Sequence, residues 1–273
     1  MRRERNPLLT AYAIAVYVFL FLPIAILVLF SFNDSKRNFA WRGFTLDWYP
    51  RLFANEDLLD ALGRTLQVAA LAVIGSVILG TLLGLGITRL GRRRRGGAET
   101  LLLLPMVTPE IVMGISLLLF FAQAFKAQGS LTQIALAHIT FCVSYVAVVV
   151  RARAANMDPH LEEAGRDLGA SAWGAFRYVT LPLLLPGILA GAMLAFALSF
   201  DDLVVTTFNA GVGSSTLPLY IYSKIRFGVT PEINAVSTLI VAVTAVAILI
   251  AWRLGTFRDA DRPVADAAEA EPA

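Results

Sequence analysis

The chain has 273 residues, 57% hydrophobic and 16% charged, a formal net charge of +3 and a mean hydropathy of +0.68. A soluble domain carries about 25% charged residues, and the apolar excess here falls in runs too long for a soluble core, which excludes an ordinary soluble enzyme. The basic residues flank those runs, so they read as membrane-flanking and exclude a nucleic-acid partner.

A hydrocarbon core about 30 Å thick takes roughly 20 apolar residues in a helix. Six stretches fit or nearly fit: 8–32, 66–87, 101–125, 134–150, 183–200 and 235–252. The first follows Arg2, Arg3 and Arg5. It is longer than a signal-peptide core and has no small-x-small site, so it reads as an uncleaved span. Residues 33–65 hold Phe44, Trp48, Tyr49, Leu52 and Phe53, a spacing that predicts a short amphipathic helix on the outer surface. An interfacial aromatic anchor is the plain reading of it; Trp48 as a substrate contact is the other.

The second span carries Gly80 and Gly84, and the fifth Gly187 and Gly191, a spacing that lets membrane helices approach closely, within the bundle or against a partner. Residues 92–95, all arginine, are the strongest topological marker. With both termini inside, the inner segments hold 15 Lys and Arg and the outer ones 8. Glu110 sits within the third apolar run. A carboxylate at mid-membrane costs about 2.5–3.5 kcal/mol, so it faces a cavity or partner, or is satisfied by a helix N-terminus. The sequence Thr108-Pro109-Glu110 reads as a helix restart, and Pro105 suggests a break. In the fourth span Cys142 excludes an internal disulfide, and His138 reads as a packing residue; His160 reads as helix surface.

The connection 151–182 is the most informative segment. Asp158 as N-cap and Pro159 at the first helical position predict a helix start. Leu161, Ala164, Gly165 and Leu168 form one apolar stripe, with Glu162, Glu163, Arg166 and Asp167 on the remaining surface. Gly169 suits a left-handed C-cap. Ser171 caps a second helix bearing Trp173, Phe176 and Tyr178, which Thr180-Leu181-Pro182 ends. Such a surface fits either a docking knob with a polar rim or an amphipathic loop on lipid headgroups. The fifth span ends on Ser199, Asp201 and Asp202. Those acids read as a solvated helix end or, with Glu110, as an acidic route for a polycation, to which Trp48 or Tyr222 adds cation–π contact. The segment Gly211-Val212-Gly213-Ser214-Ser215 lacks the lysine of a phosphate loop, so the energy comes from another subunit. Residues 258–273 read as a disordered tail and 1–257 as one transmembrane domain.

Glu163-Ala164-Gly165, three residues, Gly169, nine residues and Val179-Thr180-Leu181-Pro182 together resemble the EAA motif of ABC importer permeases, with Gly165 in place of the usual Ala and Val179 of the usual Ile. Gly43-Phe44-Thr45-Leu46-Asp47-Trp48-Tyr49, the run from Leu104 to Val112, Ser199-Phe200-Asp201-Asp202, Leu217-Pro218-Leu219-Tyr220-Ile221-Tyr222 and Pro231-Glu232-Ile233-Asn234-Ala235 are similar to spermidine/putrescine importer permeases. The resemblance implies an all-α, six-span, type I permease in the bacterial inner membrane with both termini cytoplasmic and no cofactor of its own. Its implied partners are a homologous second permease, two ATPase subunits that use the ATP, an external substrate-binding protein and membrane lipid. It implies ATPase coupling through Glu162, Glu163, Ala164, Gly165, Gly169, Leu181 and Pro182, and a substrate pathway at Glu110, Ser199, Asp201, Asp202, Trp48 and Tyr222. Alternatives are an ABC permease for another small solute, or an ion-coupled secondary transporter with Glu110 as ion site, against which the motif argues.

Overall fold

The structure, a computed structural model, describes residues 7–35, 40–126, 129–158, 160–226, 228 and 230–253. The tail expected at 258–273, Pro159 and the three N-terminal arginines lie outside these. In chain order the helices are α1 (Pro7–Phe30), α2 (Trp48–Phe53), α3 (Glu56–Thr88), α4 (Arg92–Val107), α5 (Glu110–Phe125) and α6 (Leu131–Ala155). There follow α7 (His160–Asp167), α8 (Ala172–Ala175), a π-helical turn (Phe176–Thr180), α9 (Leu181–Phe200), α10 (Val204–Asn209), α11 (Leu217–Ile225) and α12 (Pro231–Arg253). Among the described residues the only extended pairing is a single bridge between Asn33 and Phe44.

Pro7–Phe30, Glu56–Thr88, Leu131–Ala155 and Ala172–Phe200 are each long and apolar enough to cross a membrane. The third expected span is not one straight helix: Arg93–Val107 and Glu110–Phe125 meet at 101°. The helix restarts at Glu110, as Thr108-Pro109-Glu110 predicts, whereas Pro105 makes no break and is accommodated inside α4. Pro109 forces its predecessor out of the helical region, and Thr108 adopts φ −66°, ψ 130°. The last expected span is represented by the shorter apolar stretch Pro231–Val246 within α12.

The chain forms two compact units, residues 56–223 and a second that joins the segment up to Asn55 to the segment from Lys224. In the first, α6 is the central helix: Ile134, Ala137, Cys142, Val146, Ala147 and Val150 are all fully buried. Both small-residue pairs serve this internal packing. A Cβ on Gly80 would lie 2.7 Å from Val146 Cβ, and one on Gly84 would lie 2.8 Å from the carbonyl oxygen of Ala147. A Cβ on Gly187 would lie 2.8 Å from Arg153 Cβ, and one on Gly191 would lie 3.2 Å from Val146 Cγ1.

In the second unit α12 packs against α1 and α2. Asn33 organises the turn between α1 and α2. Its Nδ2 donates to Ala40 O (2.9 Å), its Oδ1 accepts from Arg42 N (2.9 Å), and its carbonyl accepts from Trp48 Nε1 (3.0 Å). Phe32 stacks on Phe44 with centroids 5.4 Å apart. Of the expected amphipathic set only Trp48 to Phe53 is helical; Leu52 is its buried residue, and Phe44 and Phe53 are exposed. Asn55 Nδ2 donates to Glu232 Oε1 at 2.8 Å and ties the end of α2 to the start of α12.

Candidate functional site

The connection between α6 and α9 folds as its local chemistry dictates. Asp158 Oδ1 accepts from His160 N at 2.9 Å, so it caps α7. Gly169 sits at φ +89°, and Ala170 N donates to Gly165 O at 3.2 Å, closing the helix with a left-handed residue. Ser171 Oγ accepts from Gly174 N at 3.1 Å and starts α8. The expected apolar stripe of α7 is divided: Leu161, Ala164 and Leu168 are exposed, Leu168 at 90%, as are Trp173 and Tyr178. The inward face holds Gly165, where a Cβ would lie 3.3 Å from Val179 Cγ2, and Glu162.

Glu162 therefore departs from its expected place on the surface. Its Oε2 accepts from Arg89 at 2.9 Å and its Oε1 from Arg166 at 2.8 Å; Thr180 Oγ1 also donates to it, at 3.4 Å. Arg89 follows the end of α3, so the carboxylate pins α7 to that helix. A cavity of about 660 Å³ lined by Arg89, Arg95, Asp158, Glu162 and Arg166 lies beneath. Glu163 stays exposed and meets His160 Nδ1 at 3.3 Å.

Thr180-Leu181-Pro182 does not end the second helix. Residues 172–200 run as one apolar helical stretch of 29 residues. A proline in a regular helix clashes with the carbonyl four residues earlier, here Tyr178. The π-helical turn Phe176–Thr180 widens the backbone at that point, and the helix passes through.

A second cavity, of about 330 Å³, gathers the acids. Glu110, Asp201 and Asp202 line it together with Met106, Tyr145 and Leu203. Glu110 is the first residue of α5, exposed, at the positive end of the helix. Asp201 is the exposed C-cap of α9. Asp202 differs: its side chain is 7% exposed. Its Oδ2 accepts from Thr206 N (2.7 Å) and Thr206 Oγ1 (2.8 Å) and lies 3.2 Å from His138 Nε2.

His138 is thus more than a packing residue. Fully buried, it also pairs Nδ1 with Ser199 Oγ at 2.8 Å and Nε2 with Thr206 Oγ1 at 3.1 Å. One turn further along, Gln133 Nε2 donates to Asn209 Oδ1 (3.0 Å), and Asn209 Nδ2 donates to Gly114 O (3.3 Å) and Val205 O (2.9 Å). Polar side chains thereby dock the short helix α10 onto α6 and α5. Sequence reasoning missed His138, Thr206, Gln133 and Asn209. The signal was present for His138, an ionisable group inside an apolar run, as it was for Glu110. Ser199 is buried and bound to His138. Trp48, in the other unit, spends its indole N–H on Asn33 and carries the Arg51 guanidinium 5.1 Å from its ring; Tyr222, in the same unit as the acids, is a half-exposed residue of α11 that does not line their cavity.

Helices long and apolar enough to cross a membrane, a bent helix pair bordering an acid-lined cavity and an exposed short-helix knob define a polytopic membrane permease. The chain belongs to the family of binding-protein-dependent transport system inner membrane components, whose model matches residues 76–259. It is accordingly a multi-pass inner-membrane transport subunit of an ABC transporter, and its relatives are permeases, not enzymes. It is 41% identical over 232 residues, 83% of each chain, to the putrescine transport system permease protein PotI of Escherichia coli (strain K12). It is 37% identical over 220 residues to the spermidine/putrescine transport system permease protein PotC of Haemophilus influenzae, covering 81% of this chain and 85% of that one. Among solved structures, a bacterial ABC transporter involved in the import of the acidic polysaccharide alginate matches with a TM-score of 0.69 at 18% identity over 93% of this chain and 96% of that one. An amino acid ABC transporter matches with a TM-score of 0.56 at 22% identity, over 79% and 100%.

Proposed function

We propose that this chain passes small linear polyamines of the putrescine and spermidine class into the cell, as one of two permeases between an external binding protein and two cytoplasmic ATPase subunits. Its relatives among polyamine permeases favour this cargo, and one observation carries it: Glu110 and Asp201, from distant segments, border a single cavity. A polyamine is a flexible apolar chain with ammonium groups at intervals. Carboxylates spaced along a narrow passage offset its desolvation locally without holding it. The reading places six spans in the membrane with both termini inside, α7 and α8 against an ATPase, and Trp48 on the outer side.

Uptake of radiolabelled spermidine and putrescine into vesicles holding the complete transporter tests it. Glu110→Gln and Asp201→Asn are each expected to cut initial rates at least tenfold with the complex still assembled. Charge reversal costs more, because a poorly hydrated passage screens charge weakly. Wild-type rates in both neutral variants would remove the acids from the pathway.

A further inference from the structure

We infer that His138 is a positioning residue that withdraws Asp202 from the passage, so that cargo meets two carboxylates, Glu110 and Asp201, and not three. The inference rests on the pathway reading above but is carried by separate geometry. Asp201 and Asp202 are neighbours in sequence with opposite surroundings. Asp201 is exposed at the end of α9; Asp202 also borders the cavity, but its side chain is only 7% exposed and its carboxylate oxygens are taken up by protein donors.

Hydrogen-bond accounting fixes what holds it there. Thr206 donates both its N–H and its hydroxyl to Asp202 Oδ2. That hydroxyl proton being spent, Thr206 Oγ1 can only accept from His138. The proton is thereby assigned to Nε2, which is shared between Thr206 Oγ1 and Asp202 Oδ2 at 3.1 and 3.2 Å. At the other ring nitrogen, Ser199 Oγ at 2.8 Å fixes the plane of the imidazole. The backbone N–H of Val205 adds a further donor to Asp202 Oδ1 at 3.3 Å. Asp202 thus accepts backbone N–H groups from the first turn of α10 and is the counterpart of a buried histidine. The same contacts lock α6, the end of α9 and α10 together, which aims the neighbouring Asp201 at the cavity that Glu110 borders.

Carbodiimide labelling of carboxylates in the assembled transporter, read by mass spectrometry, tests the assignment without requiring transport. In the wild type, Asp201 and Glu110 are expected to label and Asp202 to be protected at least tenfold relative to Asp201. His138→Ala should raise Asp202 labelling severalfold. His138→Gln, whose amide can still donate, should keep most of the protection. In uptake assays His138→Ala is expected to shift the preference between a linear triamine and a linear diamine toward the triamine, as a third carboxylate joins the passage. A merely structural loss would lower both rates alike. Equal labelling of Asp201 and Asp202 in the wild type overturns the proposal, and this arm stands even where His138→Ala fails to assemble. Protected Asp202 combined with full uptake in Glu110→Gln and Asp201→Asn would instead overturn the pathway reading and leave the role of His138 intact.

Discussion

Glycine and histidine carry the lessons at the scale of single residues. Gly84 and Gly86 lie on the same helix, yet only the first faces α6: its Cβ would meet a backbone oxygen at 2.8 Å, whereas nothing lies within 4 Å of Gly86. A backbone atom cannot rotate away. Gly84→Val is therefore expected to destabilise the transporter by about 1–3 kcal/mol through overpacking. Gly86→Ala should be neutral or stabilising by about 0.5–1 kcal/mol, the ordinary gain of alanine over glycine in a helix. Thermal unfolding of the two purified variants beside the wild type checks the pair. The spacing of the glycines was legible in the sequence; which neighbour they admit was not, because the facing helix lies some 60 residues away. The same distance hid His138. Its partners Ser199 and Thr206 are 61 and 68 residues on, so the apolar run singles it out but cannot say what it binds.

Among the elements, short-range chemistry was read well and long-range chemistry poorly. The cap at Asp158, the left-handed Gly169 and the cap at Ser171 each follow from a few adjacent residues, and all three are present. The inward turn of Glu162 depends on Arg89, 73 residues earlier, and the passage of a helix through Pro182 depends on a backbone widening that no residue type announces. The proposed docking of α7 and α8 on an ATPase gives a prediction at this scale. Gly169→Asp finds open space but a backbone that costs about 1–2 kcal/mol for a side-chain-bearing residue. Combined with Glu163→Lys, it is expected to lower uptake at least fivefold while ATP hydrolysis persists. Unchanged uptake per ATP in the double variant would count against docking. Arg89→Ala, which frees one side of Glu162, should loosen the same coupling more mildly, since partly exposed ion pairs are worth about 0–1 kcal/mol.

For the whole molecule, four of the six expected runs are single helices long and apolar enough to cross, a fifth is a bent pair, and the family match covers residues 76–259. Hydropathy reports a run of apolar residues but not its direction; the bend of 101° in the third run was signalled instead by the helix restart at Thr108-Pro109-Glu110. Orientation is testable with unusual economy, because the lone native thiol, Cys142, is fully buried and gives little background. Cysteines introduced one at a time at positions 94 and 163 should react only from the cytoplasmic side, and at positions 46 and 212 only from outside. Labelling of position 163 from outside would reverse the proposed orientation.

The continuous stretch from Ala172 to Phe200 joins the exposed short-helix knob to the wall of the acid-lined cavity. At 1.5 Å per residue its 29 residues extend about 40 Å, so a tilt of about 5° at one end swings the other by about 3–4 Å. Trp173 rides near the handle; Asp201 begins where the shaft stops. On the proposed reading, a nudge delivered to the indole would reach the gap facing Glu110 by way of the widened turn at Phe176–Thr180. Two glycines inserted between Arg177 and Tyr178 should make the shaft slack: hydrolysis continues, uptake collapses, and the Asp202 footprint stays as it was.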